Sequence, residues 1–471
     1  MNSELLRLCV AVRDAGGRAM LVGGSVRDRL LGLESKDFDV EVYGLEPDRL
    51  REVLERIGRV NAVGEHFSVY KLVFTRSGTE GGIEGRFEID VSLPRRESKS
   101  GRGHRGFVIE GDPSMTFEEA ARRRDFTINA ILYDPLTGDT IDPYGGREDL
   151  DKRLLRSVAS DTFVEDSLRV LRAVQLAARF EMRIDQRTIE LCQTIELSDL
   201  PRERIWGEIE KLLTLAEHPS IGLSAAIELG VLDKLFPEIR ALVDSRSEDE
   251  PSSDAFQHTR LALDEAAREA RDLSKPQRVA VMLATLCHDL GNPPVTETMA
   301  GSSSSSNDKA AVRQTRSVLN TLGLYGIGGY DVRSQVLSLV QEQLRPAEFH
   351  QRRDENTDGD FRRLAQRVDI DLLYRVTKSC AVARRSASAT SAADWFIERA
   401  RSLGVEHGAP APLLQGRHLI EAGYEPGPEM GRLLRDVYEM QLDGKVTTLE
   451  EGLAAARTID LSAPNARPVF R

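Results

Sequence analysis

The chain is poor in cysteine, and what it has is scattered. Cys9, Cys192, Cys287 and Cys380 form no CxxC pair. That argues against a disulfide framework or a cysteine-based zinc site, and it fits a reducing cytoplasm. Long apolar runs are missing too. Nothing approaches the roughly 18–20 residues that span a bilayer, so no membrane role is expected. The opening residues, "MNSELLRLCVAVRDAGG", pattern as an amphipathic helix and lack the basic head, apolar run and cleavage site of a signal peptide. Positive charge is in deficit, with a net −12. A deficit of that kind speaks against nucleic acid only weakly, because binding follows local patches. Arginines gather at "PRRESKSGRGHRG" (94–106), at "ARRRD" (121–125) and along "SLRVLRAVQLAARF". No repeat of fixed period is visible.

What is present is ample for packed cores: 471 residues, 40% of them hydrophobic. That length suggests about three domains. The first 150 or so residues mix strands and helices. "RAMLVGG", "KDFDVEVYG", "SVYKLVF" and "FEIDVSL" read as strands, while "SVRDRLLG" and "EPDRLREVLERIG" read as helices. From there on the periodicity is almost wholly helical. The expected fold is therefore α+β: a head with a small mixed sheet, followed by an extended all-helical body. Two low-complexity stretches, "LVDSRSEDEPSSDA" (242–255) and the serine run in "AGSSSSSNDK" (300–309), are expected to be linkers or mobile loops that mark boundaries.

The densest chemistry lies in "AMLVGGSVRDRLLGLESKDFDVEVYG", residues 19–44. Asp37 and Asp39, two apart on the expected strand, would point to one face. Two like charges side by side call for a cation, and oxygen-only ligands favour Mg²⁺, whose remaining shell comes from water and phosphate. Gly23 and Gly24 end the preceding strand, where glycine lets backbone approach a phosphate and the next helix adds its dipole. Arg27, one turn into that helix, can reach the same phosphates. Each piece alone is commonplace; their order and close spacing point to nucleotidyl transfer.

The run "LVGGSVRDRLLGLESKDFDVEV" resembles the signature of the class II tRNA nucleotidyltransferase and bacterial poly(A) polymerase superfamily. Later blocks follow in the family order. "RRRDFTINAILYDPLTGDTIDPYGGREDL" (122–150) resembles the next one, and the resemblance implies that Arg124 contacts triphosphate and Asp125 holds the head together. "VEDSLRVLRAVQLAARF" (164–180) resembles the nucleotide-selecting EDxxR block, and "RERIWGEIEKLL" (202–213) the neck block. Asp166, Arg169 and Arg172 fall at i, i+3 and i+6 of the expected helix and would form one polar strip. A carboxylate there can accept from an exocyclic amine and the arginines can donate to a base, so the strip would read C or A without a template. Many family members carry an arginine one turn later, where this chain has Gln175. Asp90, in "FEIDV", is a candidate third carboxylate beside Asp37 and Asp39. Residues 95–118 are expected to be the family's flexible loop for switching from C to A.

Further on, "QHTRLAL" (257–263) and "LATLCHDLGNP" (284–293) resemble the start of an HD phosphohydrolase domain, with His258, His288 and Asp289 matching the first metal ligands. The rest of the pattern is eroded. Asn292 stands for the lysine after "HDLG", the serine run replaces a histidine-bearing stretch, Gln343 stands for a histidine, and no acid is found near "KSCAVARR". The expected divisions are a nucleotidyltransferase head (1–150), a nucleotide-selecting neck (151–241), a degenerate HD-like domain (255–400) and a C-terminal helical unit (401–471). The resemblance implies Mg²⁺-dependent addition of CCA to tRNA from CTP and ATP. Alternatives stay open here: an A-adding enzyme or poly(A) polymerase of the same superfamily, an HD phosphohydrolase with a vestigial head, or a non-catalytic RNA-binding protein.

Overall fold

The structure, a computed structural model, describes residues 2–34, 37–62, 69–76, 85–99, 107–244, 255–291 and 304–462. Among them no helix is long and apolar enough to cross a membrane. Contacts divide the chain into two compact units, Met1–Phe236 and Pro237–Arg471. Neither low-complexity stretch coincides with that division. Helix Pro237–Asp244 falls in the second unit, and the serine run is helical from Ser304, at the start of helix Ser304–Leu322. Residues 301–303 and Asn292 lie outside the described residues, as does most of the 242–255 stretch.

The first unit opens with helix α1 (Ser3–Asp14), capped by the Asn2 side chain on the Glu4 N–H. It buries Leu5, Leu8, Cys9 and Val12, the i, i+3, i+4, i+7 stripe of a helix lying on a core. Strand β1 (Arg18–Val22), helix α2 (Gly24–Leu30), strand β2 (Asp39–Tyr43) and helix α3 (Pro47–Ile57) follow. Pro47 at the head of α3 has no N–H to leave unsatisfied there. Strands β3 (Arg59–Ala62), β4 (Val69–Arg76) and β5 (Gly85–Ser92) come next, and after the hairpin described below, the short β8 (Leu132–Tyr133) and β9 (Thr140–Ile141). Together they make one seven-stranded mixed sheet, ordered β3-β4-β5-β2-β1-β8-β9. The strands β2 and β5 run parallel and the other neighbours antiparallel. This register matters for the site, because Asp39 lies opposite both Val22 on β1 and Asp90 on β5.

Residues 95–118 differ from the expected loop. Strands β6 (Arg95–Lys99) and β7 (Phe107–Gly111) pair antiparallel, and helix α4 (Phe117–Arg122) starts in a capping box between Thr116 and Glu119. The intervening 100–106 lie outside the described residues. Met20, Val22, Tyr43, Met115, Ala120, Ala121, Ala130 and Leu132 form a core beneath the site, tying α4 to the sheet. Helices α5 (Gly146–Asp151), α6 (Ser160–Phe163) and α7 (Leu168–Arg179) lead into the helical part of this unit, where α7 packs on helices Arg202–Leu215 and Pro219–Glu228.

In the second unit, helices Ala255–Glu269, Lys275–Cys287, Val332–Gln341 and Ile370–Ala383 pack together. Helix Lys275–Cys287 is buried on every side from Val279 to Cys287, which marks it as the centre of that bundle. The last two described helices, Pro428–Leu442 and Leu449–Ser462, build a separate small core with Leu419 and Tyr424.

Candidate active site

The end of β1, the start of β2, α2 and α7 surround a cleft of about 950 Å³ in the first unit. Its lining includes Gly23, Gly24, Arg27, Asp37, Asp39, Arg124, Asp166, Arg169, Arg172 and Gln175. Residues about 130 positions apart in sequence thus share one space, as the sequence predicts. Its volume lies within the usual range for small-molecule sites, about 300–1,000 Å³.

On the sheet side, Gly23 sits at φ +73°, a backbone conformation that a side chain would strain. A Cβ there would stand 3.2 Å from an Arg124 Nη and 3.6 Å from an Asp39 Oδ. Glycine therefore keeps open the floor between the arginine and the carboxylate. Asp37 is not on the strand: β2 begins at Asp39, and Asp37 lies two residues before it. Both residues nevertheless line the cleft. Asp90 stands beside Asp39 across the parallel pairing, with Lys71 Nζ 3.9 Å from it. The Asp39 carboxyl is raised above its ordinary range. Desolvation in the cleft wall is the largest cause, Arg124 opposes it, and Asp90, Asp37 and Glu41 add repulsion. A buried Asp39 carboxyl with the Asp37 and Asp90 carboxylates near it, all offering oxygen, suits a hard divalent cation.

Glu41, two residues past Asp39, organises the opposite charge, and the sequence reading missed it. It is 1% exposed, and accepts from Arg123 at 2.6 Å, Arg124 at 3.1 Å and the Tyr43 hydroxyl at 2.9 Å. Burial alone would raise its carboxyl, but Arg124 and Arg123 hold it below the usual range. The signal was there: the alternation Asp39, Glu41, Tyr43 puts one more acid on the strand face next to a triple-arginine run.

Arg27 differs from its expected free reach. Its guanidinium donates to Asp28 at 2.6 and 2.9 Å and to Asn129 at 2.8 Å, and it stacks 4.3 Å over the Phe180 ring. It lines the cleft with three of its five N–H donors engaged by the wall.

On the helical side, Asp166 does not belong to α7, which begins at Leu168. It lies just before the helix, accepting from the Leu168 N–H at 3.1 Å and facing Arg204 at 3.2 Å. The i, i+3, i+6 strip is therefore a helix-start acid followed by two helical arginines. Arg169 donates to the Thr162 and Arg123 carbonyls at 2.5 and 2.6 Å. Arg172 donates through Nε to Asp125 at 2.6 Å. Asp125 also accepts from the Phe126 N–H and Asn129 Nδ2, so it joins α7 to the head as well as bonding within the head. Burial would raise the Asp125 carboxyl, but Arg172 and these donors hold it at about 2. Arg204 and Lys211, from helix Arg202–Leu215, complete the wall and were not singled out in the sequence. Gln175 is 3% exposed, and its Nε2 has no hydrogen-bond partner among the described residues.

In the second unit, His258, His288 and Asp289 do come together, with a fourth group, Cys380, that the sequence reading did not count as a ligand. Gln343 Nε2 donates to the His288 carbonyl at 2.8 Å.

Comparison with known proteins agrees with this geometry. Residues 19–156 match the model of the Poly A polymerase head domain, and 181–242 that of the "Probable RNA and SrmB- binding site of polymerase A". The chain is 41% identical over 280 residues to a multifunctional CCA protein of Stenotrophomonas maltophilia (strain K279a), covering 58% of this chain and 63% of that protein. It is 36% identical over 311 residues to a multifunctional CCA protein of Haemophilus influenzae (strain PittGG), covering 64% of this chain and 70% of the relative. The fold is similar to that of a Bacillus stearothermophilus CCA-adding enzyme in complex with CTP: TM-score 0.64, 21% identity, 98% of this chain and 100% of that one. It is also similar to a Thermotoga maritima CCA-adding enzyme complexed with tRNA: TM-score 0.60, 20% identity, 98% and 96% covered. The class defined by fold and matched head is a nucleotidyltransferase of the poly(A) polymerase head type followed by a helical body. Within it, the chain belongs to the class II tRNA nucleotidyltransferase family that includes the multifunctional CCA proteins. It spans about 63% of the length of the S. maltophilia relative.

Proposed function

We propose that the chain adds CMP, CMP and AMP to tRNA 3′ ends from CTP and ATP without a template, releasing pyrophosphate at each step. The tRNA 3′-oxygen forms a bond to the α-phosphorus of the nucleotide, and the bond to the pyrophosphate oxygen breaks. The observation that carries this reading is the cleft lined by Asp37 and Asp39, with Asp90 paired beside Asp39 on the neighbouring strand, and by Asp166, Arg169 and Arg172. The relatives named above, proteins of CCA addition, support it.

Asp37 and Asp39, with Asp90 beside them, would hold Mg²⁺. When bound, the metal lowers the pKa of the attacking hydroxyl and neutralises the leaving charge. Arg124, oriented by Glu41, would bind the triphosphate over the floor that Gly23 and Gly24 keep open. Arg27 would shape that floor through Asn129. Asp166 would accept from the exocyclic amine of cytosine or adenine, exchanging its Arg204 partner for the base. Arg172 uses Nε on Asp125, which leaves its terminal amino groups to donate to the base. Arg169, anchored on two carbonyls, would hold the α6–α7 corner in place and donate with its remaining hydrogens.

The first unit would comprise the head (1–150) and the neck (151–241) as far as Phe236. The second would comprise an HD-like domain (255–400) without hydrolase chemistry and a C-terminal helical unit (401–471), together serving as a body for tRNA. All four cysteines are free, in keeping with the cytoplasm as the site of action. Primer extension on tRNAs ending at the discriminator, at C and at CC, with each nucleotide supplied separately, tests the reading. The first two should take CMP from CTP alone, and the third AMP from ATP alone. Extension by ATP on all three, running beyond one residue, would contradict it in favour of a poly(A) polymerase.

A further inference from the structure

The cluster in the second unit holds a sulfur, and that changes which metal it can bind. His258 comes from helix Ala255–Glu269, His288 and Asp289 from the end of Lys275–Cys287, and Cys380 from Ile370–Ala383. One donor atom each from His258, His288 and Cys380 lies within 4.8 Å of the others. The two imidazole Nε2 atoms are 3.0 Å apart. Tetrahedral zinc, with bonds of about 2.0–2.1 Å to nitrogen, holds its nitrogen ligands at nearly this separation. Asp289 Oδ2 stands 3.1 Å from His288 Nε2 and 3.8 Å from His258 Nε2, a position suited to a fourth ligand, with Arg384 3.3 Å behind it.

The hydrogen bonds orient the lone pairs. His288 Nδ1 is 2.7 Å from the Thr285 carbonyl oxygen, which can only accept. Nδ1 therefore carries the proton, and in the neutral ring Nε2 presents its lone pair to His258 Nε2 and to a carboxylate oxygen. This is the outer-sphere contact that typically fixes a metal-binding histidine. A His288 Nε2 lone pair facing a second imidazole nitrogen and a carboxylate oxygen, with a thiol alongside, calls for a proton or a cation among them.

We propose that His258, His288, Cys380 and Asp289 form a mononuclear site for a soft or borderline divalent cation, Zn²⁺ above all, with the Cys380 sulfur as a ligand. Binding displaces the thiol proton to solvent and leaves a thiolate on the metal. A thiolate selects Zn²⁺ over the oxygen-seeking Mg²⁺ and Mn²⁺. Four protein donors leave no open position for a hydrolytic water, so this site ties three helices of the bundle together rather than cleaving phosphoesters.

The test uses the full chain, stripped with a chelator and titrated with Co²⁺ and then Zn²⁺. The expected result is a thiolate-to-cobalt charge-transfer band in the near ultraviolet that saturates at one equivalent and is displaced by Zn²⁺ but not by excess Mg²⁺. Cys380→Ser should lose the band and weaken Zn²⁺ binding at this site at least a hundredfold. Cys287→Ala, one residue from His288, should keep both. Circular dichroism of the Cys380→Ser protein checks that it stays folded, as the half-buried position allows. A cobalt complex with no sulfur band, a band unchanged in Cys380→Ser, or displacement by Mg²⁺ would overturn the proposal. So would metal-dependent hydrolysis of 2′,3′-cyclic AMP that Cys380→Ser abolishes.

Discussion

Gln175 and Glu41 show how single side chains set the terms in the cleft. Gln175 Nε2 is a buried donor with no partner among the described residues, beside the space where the proposed nucleotide binds. An unsatisfied buried donor costs the fold about 1–3 kcal/mol, which a ligand that accepts from it would recover. Gln175→Leu is therefore expected to leave the thermal midpoint unchanged or raised, and to raise KM for CTP several-fold in single-nucleotide addition. A lowered midpoint with an unchanged KM would show that Gln175 serves packing alone. Glu41 is the reverse case, a fully partnered buried charge. Glu41→Gln leaves Arg123 and Arg124 without their counter-charge, and breaking a buried pair of this kind costs about 3 kcal/mol. The expected outcome is a lower denaturant midpoint together with weaker nucleotide binding, because Arg124 loses its orientation. Equilibrium unfolding and nucleotide titration on the same variant separate the two effects.

The joint between α7 and the head depends on one carboxylate. Asp125 is held at about 2 in the fold, against an ordinary value of 3.8. A folded-state value below the unfolded one stabilises the protein above the unfolded pKa, and that contribution fades as pH falls through the folded pKa. The difference is worth about 2 kcal/mol, fully present above pH 5 and lost between about pH 4 and 2. Asp125→Asn should lower stability at neutral pH and flatten the fall in denaturant midpoint on acidification over that window. A variant whose acid limb has the same slope as the parent's would show that other groups carry it. The element scale is also where the sequence was most and least informative. β1, α2 and β2 were legible from their apolar runs and glycine break, because strand and helix periods differ so plainly there. Asp37 and Asp166 were misplaced onto regular elements. Spacing of two or three cannot reveal that a strand starts at the second acid of the DxD pair, or that the aspartate of EDxxR precedes the helix and accepts from the Leu168 N–H rather than joining it. The serine run read as a loop by composition, yet from Ser304 it is helical.

For the molecule as a whole, an α+β head followed by helices follows the sequence reading, whereas contacts group the chain into two units whose break lies at none of the expected divisions. Low complexity at 242–255 and 300–309 suggested boundaries, but contacts decide them, and helix Pro237–Asp244 packs with the second unit. The cleft residues of the head were legible because motif spacing preserves them. Glu41, Arg204 and Lys211 were not, since a charge that supports another charge carries no motif of its own. Cys380 was hidden for a similar reason: the search near "KSCAVARR" was for an acid, and the fold supplied a thiol. The central claim concerns the head alone, that Asp39 belongs to the carboxylate set on which nucleotidyl transfer depends. The most direct measurement is CMP transfer from CTP to a tRNA lacking CCA by Asp39→Ala, with Mg²⁺ supplied and folding checked by thermal melting. The account predicts loss of transfer by at least about a thousandfold with an unchanged or slightly raised melting temperature, because burial and then the neighbouring carboxylates disfavour the charge that is removed. Transfer retained near the parent rate in a folded Asp39→Ala protein would contradict it.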